Sequence, residues 1–247
     1  MNRIGILEKE WLSCFARMRR GRFFQLLASK RLERAHYMGF LRETYHNTYH
    51  NPKKMALFMA HLNSYRPRLE AKFMKHTAAE IGHDEMALDD LKVLGGDPDA
   101  VRRGRPLPST EALTAFIVFQ IQHRNPLAYL GYLYHLEAMP VHMGADVMQC
   151  LASIGIPPEA TTFLREHADA DPVHIKWNRE YMEGFIRNDE DLEAALYGMR
   201  GTCELHGGMF QAILDQGRDW LAVSAPDRAS LDSASAKTPA LKAPKAP

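Results

Sequence analysis

Apolar residues recur at steps of three and four along most of this chain, and no segment sustains strict alternation, so the pattern is helical rather than stranded. The spacing predicts helices over 7–28, 30–49, 51–63, 66–94, 110–123, 126–139, 141–154, 157–186 and 189–217, with ends placed to within about 2–4 residues. The punctuation agrees. Ser64 and Pro67 open the fourth segment, and Gly95-Gly96-Asp97-Pro98 closes it. Asn125-Pro126 reads as N-cap and first helical position, Pro140 as an interruption, and Gly155 with Pro157-Pro158 as a separator. Residues 97–108 form the longest predicted internal loop. The expectation is an all-α bundle in one domain over 1–221. From residue 222 the composition turns to Ala, Ser, Pro and Lys, which buries too little apolar area to offset the entropy of ordering, so 222–247 is expected to be disordered.

Two of the predicted helices break their own apolar stripes. Over 66–94 the inward stripe runs Leu69, Phe73, His76, Glu80, His83, Ala87, Leu91 and Leu94. One buried histidine is usually a hydrogen-bonded core residue, but three polar groups in succession on an apolar face favour a site. Over 157–186 the stripe includes His167, Asp171, His174 and Asn178. HxxxDxxH at 167–174 echoes HxxxExxH at 76–83, and such spacings place all members on one helical face. Asp171-Pro172 also reads as a helix start, which would divide that face; a continuous helix kinked at Pro172 is the expectation. Glu137 follows Leu130, Leu133 and Tyr134 at helical spacing. Alone it reads equally well as a surface group, and it gains weight as the contribution of a third helix.

Buried charges are costly unless paired or bound to metal, and carboxylates and imidazoles converging from facing helices are how bundles build di-iron centres. The candidate ligands are therefore Glu80, His83, Glu137, His167, Asp171 and His174. Three imidazoles and three carboxylates without a thiolate suit iron, manganese or zinc.

A second polar cluster, Glu43-x2-His46-x3-His50, lies in a segment that is polar all round. It is expected to line a substrate pocket or to sit just outside the ligands. His206, on the stripe Leu196, Met199, Cys203, Phe210 and Ile213, is expected to be a core or pocket histidine rather than a ligand.

The 247 residues carry 31 basic and 30 acidic groups for a net charge of +1, so no nucleic acid or other highly charged partner is implied. The run Arg17, Arg19, Arg20, Arg22 reads as a solvated helix surface. Three cysteines, an odd count spread along the chain, give no disulfide framework, and a cytoplasmic protein is expected. No signal peptide or membrane span is legible. A small-molecule substrate is the expected partner, and a homodimer is compatible with the sequence.

At these residues the chain resembles the haem-oxygenase-like di-metal oxidases and oxygenases, of the iron-containing redox enzyme type. The resemblance is carried by Glu80-x2-His83 within EIGHDEMALDDLKVLG, by Glu137, and by His167-x3-Asp171-x2-His174 within REHADADPVHIKWN. FLRETYHNTYHNPKKMALFMAHL resembles the helix before the first ligand helix, and about residues 25–215 are covered. It implies a haem-oxygenase-like bundle of about seven to nine helices, two Fe(II) ions or an Fe/Mn pair held by the six residues, and activation of O2 toward a small organic substrate. The expected chemistry is N-oxygenation of an amine or amino acid, or oxidative C–C cleavage. Some members place a carboxylate where this chain has His76, which makes His76 a candidate further ligand. Thiaminase II and pyrroloquinoline-quinone synthase share the fold without a di-metal centre, so fold alone does not decide function. The alternatives are a haem-binding or cofactor-independent enzyme on this fold, or a helical interaction protein without catalysis.

Overall fold

The computed structural model describes residues 2–217 and, within them, all side chains except those of 169–172. The expected 222–247 tail lies outside the described residues. Among the described residues eleven α-helices follow one another: α1 Arg3–Met18, α2 Arg22–Ala28, α3 Arg34–Thr48, α4 Asn51–His61, α5 Pro67–Ala79, α6 His83–Val93, α7 Pro98–Arg103, α8 Pro108–His123, α9 Ala128–Ser153, α10 Thr162–Phe185 and α11 Asp189–Gln216. A 3-10 turn over Pro158–Ala160 precedes α10. No strand occurs among the described residues, and no helix among them is long and apolar enough to cross a membrane.

The differences from the predicted elements have local causes. The expected helix 66–94 is two helices, because the chain turns at Glu80–Gly82 and Gly82 takes φ 96°, a left-handed value that only glycine adopts without strain. Two expected helices, 126–139 and 141–154, are instead the single α9. Pro140 lies inside it, where tertiary packing against α10 and α11 outweighs the hydrogen bond that proline removes. The helix through Asp171-Pro172 is continuous, as the shared face requires. Residues 98–103 of the expected loop form a short helix, because Asp97 Oδ1 accepts from the backbone N–H groups of Asp99 and Ala100 and caps it.

The main core gathers α1, α2, α4, α5, α8, α9, α10 and α11 around Trp11, Phe58, Phe73, Tyr129 and Phe210. A second cluster, with Leu41, Leu88, Leu91 and Phe163 at its centre, seals α3 against α6. α9 and α11 approach so closely at Gly131 and Gly198 that backbone meets backbone.

Two helix starts are capped from elsewhere in the fold. Asp90, fully buried on α6, accepts from the Thr162 N–H and hydroxyl through Oδ1, at 2.9 and 2.6 Å, and from the Phe163 N–H through Oδ2 at 3.0 Å. It satisfies the first turn of α10, which Thr161 leaves without a side-chain cap. Asp90→Ala is expected to cost about 2 kcal/mol, since it strands buried donors, with Asp90→Asn milder. A urea melt checks this, and an unchanged midpoint for Asp90→Ala would refute the cap.

Candidate metal centre

Four helices bring the polar breaks in the stripes together. His76 lies one turn before the end of α5, and Glu80 is its C-cap residue. His83 opens α6, Glu137 sits in α9, and His167 and His174 lie on α10. The turn at Gly82 lets Glu80 and His83 face the same point from the ends of two helices. His83 Nδ1 is 3.7 Å from Glu80 Oε1. His76 Nε2 lies 3.9 Å from Glu80 Oε1 and 3.2 Å from Glu137 Oε1. The His76 and His174 rings are 4.2 Å apart by centroid, and those of His83 and His167 are 4.8 Å apart.

Among the described residues, two groups present one ligand-type atom each, all within 4.8 Å of one another: His76, Glu80 and His174, and Glu80, His83 and His167. Glu80 belongs to both. His76, left open by the sequence, thus stands inside the constellation with Glu80, His83, Glu137, His167 and His174. The side chain of Asp171 lies outside the described residues.

The protonation states suit cation ligands. Burial opposes ionisation of Glu80, but the His83 hydrogen bond outweighs it, with the charges that His83, His167 and His76 take on in acid, and the carboxyl is held at about 2. Burial lowers the pKa of His167 and His174, which favours neutral imidazoles. A carboxylate among neutral imidazoles is the form in which these groups bind metal. Asn178, fully buried on α10, donates from Nδ2 to Glu137 Oε2 at 3.2 Å and orients it.

A partly open cavity of about 140 Å³ reaches this cluster, and Glu80, Glu137 and His167 form part of its wall. The rest is mostly apolar, with Phe23, Phe24, Leu133, Met139, Met143 and Phe210 among the lining residues.

Of the four residues expected to line a pocket or sit beside the ligands, only His206 lines this cavity. Glu43 is a correction. Its Oε2 accepts from the Leu107 N–H at 2.9 Å and the Thr110 hydroxyl at 2.5 Å, and its Oε1 pairs with Arg42 at 3.2 Å. It caps α8 as Asp90 caps α10, so its buried charge is consumed in holding the fold. His46 is half-buried beside Arg42 and His50, and burial first, then those neighbours, lower its pKa to about 4. His50 is the N-cap residue of α4. Neither is in the cavity wall.

The sequence reading missed Lys54. Its ammonium is fully enclosed, donates to Asn47 O and Oδ1 at 3.2 Å each, and contacts the Tyr132 hydroxyl. No spacing rule flags it, because Asn47 and Lys54 lie on different helices and Tyr132 comes from α9. Burial pulls its pKa down to about 7, with Glu80 acting the other way. The folded state therefore binds fewer protons than the unfolded chain between pH 7 and the ordinary lysine value of 10.5, and stability rises with pH across that window. Lys54→Met is expected to remove this rise, on the order of 5 kcal/mol. Denaturation midpoints across the alkaline range check it, and an identical slope in the variant would refute it.

Helices packed around a buried His/Glu cluster that opens to an apolar cavity define a helical-bundle protein with a candidate metal centre. The sequence profile of the family described as iron-containing redox enzyme matches residues 38–207, and the chain belongs to that family. A solved domain with a haem-oxygenase-like fold from Shewanella denitrificans is similar at TM-score 0.82 and 23% identity, covering 92% of this chain and 98% of that one. A TenA homologue from Pseudomonas syringae is similar at TM-score 0.73 and 11% identity, over 87% of this chain and 93% of that one. A TenA homologue from P. horikoshii gives TM-score 0.72 and 10% identity, over 88% and 100%. The fold is thus haem-oxygenase-like. No curated protein matches the sequence.

Proposed function

We infer that this chain is a non-haem di-metal oxidase or oxygenase that uses two irons, or iron with manganese, to activate O2 and oxidise a small organic substrate. The observation that carries this is the Glu80 carboxylate, common to two groups of three ligand-type atoms. Two such groups with a shared member would suit a pair of metals better than a single ion. Glu80, His83 and His167 would hold one ion, and His76, Glu80 and His174 the other, with Glu137 and Asp171 completing the set. Two ferrous ions held there would supply the two electrons that reducing dioxygen to the peroxide level requires.

The chain's own groups set the conditions. Asn178 holds Glu137 in place. The mostly apolar wall offers an organic substrate a surface beside the candidate ligands. N-oxygenation and oxidative C–C cleavage are both compatible with this arrangement.

Anaerobic titration of the full-length chain with ferrous iron is expected to saturate at about two ions per chain, as bridging requires, and to raise the melting temperature by linkage. Oxygen should then be consumed once per metal pair. Saturation at one ion, or none, would overturn the di-metal reading and leave a mononuclear or metal-free enzyme on this fold.

A further inference from the structure

A chain of buried hydrogen bonds runs from α1 to the cavity wall, outside the metal cluster. Trp11 Nε1 lies 3.2 Å from His135 Nδ1, and His135 Nε2 lies 3.1 Å from His206 Nδ1. Trp11 and His135 are fully buried, and His206 lines the cavity. The direction of this chain is forced. An indole nitrogen only donates, so His135 Nδ1 must accept and carries no proton. The proton of His135 is therefore on Nε2 and is donated to His206 Nδ1. That nitrogen in turn accepts, which leaves the His206 proton on Nε2. A cationic form of either ring would place two N–H groups against each other.

We propose that His206 presents an Nε2–H donor to the cavity, locked in that tautomer by Trp11 through His135, and that the cavity selects a substrate that is apolar apart from a hydrogen-bond-accepting oxygen. The apolar body would lie against Phe23, Phe24, Met139 and Phe210, which line the same cavity. The carbonyl or hydroxyl oxygen would meet His206, which stacks on Phe210 with centroids 4.7 Å apart and is held in orientation by it. His206 is then a specificity residue, and Trp11 and His135 are positioning residues that act through it. The proposal rests on the proposed function only in taking this cavity as the substrate site.

Two measurements on the full-length chain test it. First, nitrogen NMR of histidine-labelled protein before iron is added is expected to show His135 and His206 both neutral and protonated on Nε2. A proton on His206 Nδ1 would overturn the proposal. Second, 2-octanone, which only accepts, and octylammonium, which only donates, are titrated against wild type and Trp11→Phe. Removing the indole donor frees both rings to reverse, so the ketone-to-ammonium affinity ratio should fall about tenfold, the scale of a hydrogen bond exchanged for a mismatch. The cost of desolvating the ammonium is common to both proteins and cancels in that comparison. An unchanged ratio in a folded variant refutes the lock, and if Trp11→Phe does not fold, the wild-type tautomers decide alone. Iron loading is read separately: failure to bind two irons with the tautomers intact would sink only the di-metal reading, whereas normal loading with a reversed tautomer would sink only this one.

Discussion

Glu80→Gln is expected to abolish both metal positions at once. The substitution keeps the shape of the side chain and removes a charge that His83, His167 and His76 hold ionised down to about pH 2. Because Glu80 belongs to both groups of ligand-type atoms, its loss should weaken each ion's binding by about a hundredfold or more, beyond the 10–100-fold typical of losing a group just outside the ligands. Oxygen consumption should fall to background. His83→Ala and His174→Ala each touch only one group, and each should leave one iron bound. Ferrous titration of the three variants, with oxygen uptake in parallel, reads the pattern. Two irons on Glu80→Gln would show that the shared carboxylate does not bridge.

Gly131→Ala is expected to be the most damaging single methyl in the fold. A Cβ at position 131 would lie 1.9 Å from Ala195 O and 2.8 Å from Met199 N, both backbone atoms of α11. The reciprocal contact is as tight, since a Cβ on Gly198 would lie 2.1 Å from Ala128 O. No rotamer change relieves a clash between backbones, so α9 and α11 must separate, at a cost of about 3 kcal/mol or more. α9 also carries His135 and Glu137, so the shift should reach the candidate centre. Gly208→Ala is the matched control: it lies within α11 with nothing within 4 Å of its would-be Cβ, and should gain up to about 1 kcal/mol from helix propensity. Guanidinium melts of both variants decide it, and equal stabilities would refute the close-packing account.

The sequence and the structure part company at particular residues. His167 and His174 were legible together because helical periodicity is local: a polar residue on an apolar stripe is visible without knowledge of the neighbouring helix, whereas Glu80 and His83 read as one face although a turn divides them between two helices. The turn at Gly82 was not legible, since a glycine inside an apolar helical pattern is tolerated as often as it breaks one. Pro140 misled in the opposite direction. Glu43 and Asp90 show the same limit in charge. Both are buried carboxylates that cap the starts of helices far away in sequence, and one of them resembled a site residue because the donors it serves, on Leu107 and Thr110, cannot be read from its own helix.

The amino-acid sequence by itself determined that this protein is helical, that polar groups with metal-ligand chemistry interrupt its apolar faces, and which family's pattern they follow. Those properties reside in spacings of three and four residues. Tertiary structure alone decided that His76 joins the cluster, that Glu80 stands between two groups of ligand-type atoms, and that Lys54 is enclosed beside Tyr132. It alone decided that Trp11, 124 residues away along the chain, hydrogen-bonds His135, which in turn meets His206 in the cavity wall. Each depends on how helices meet, and the angle and register of that meeting come from backbone contacts such as Gly131 against Ala195, which no single helix encodes.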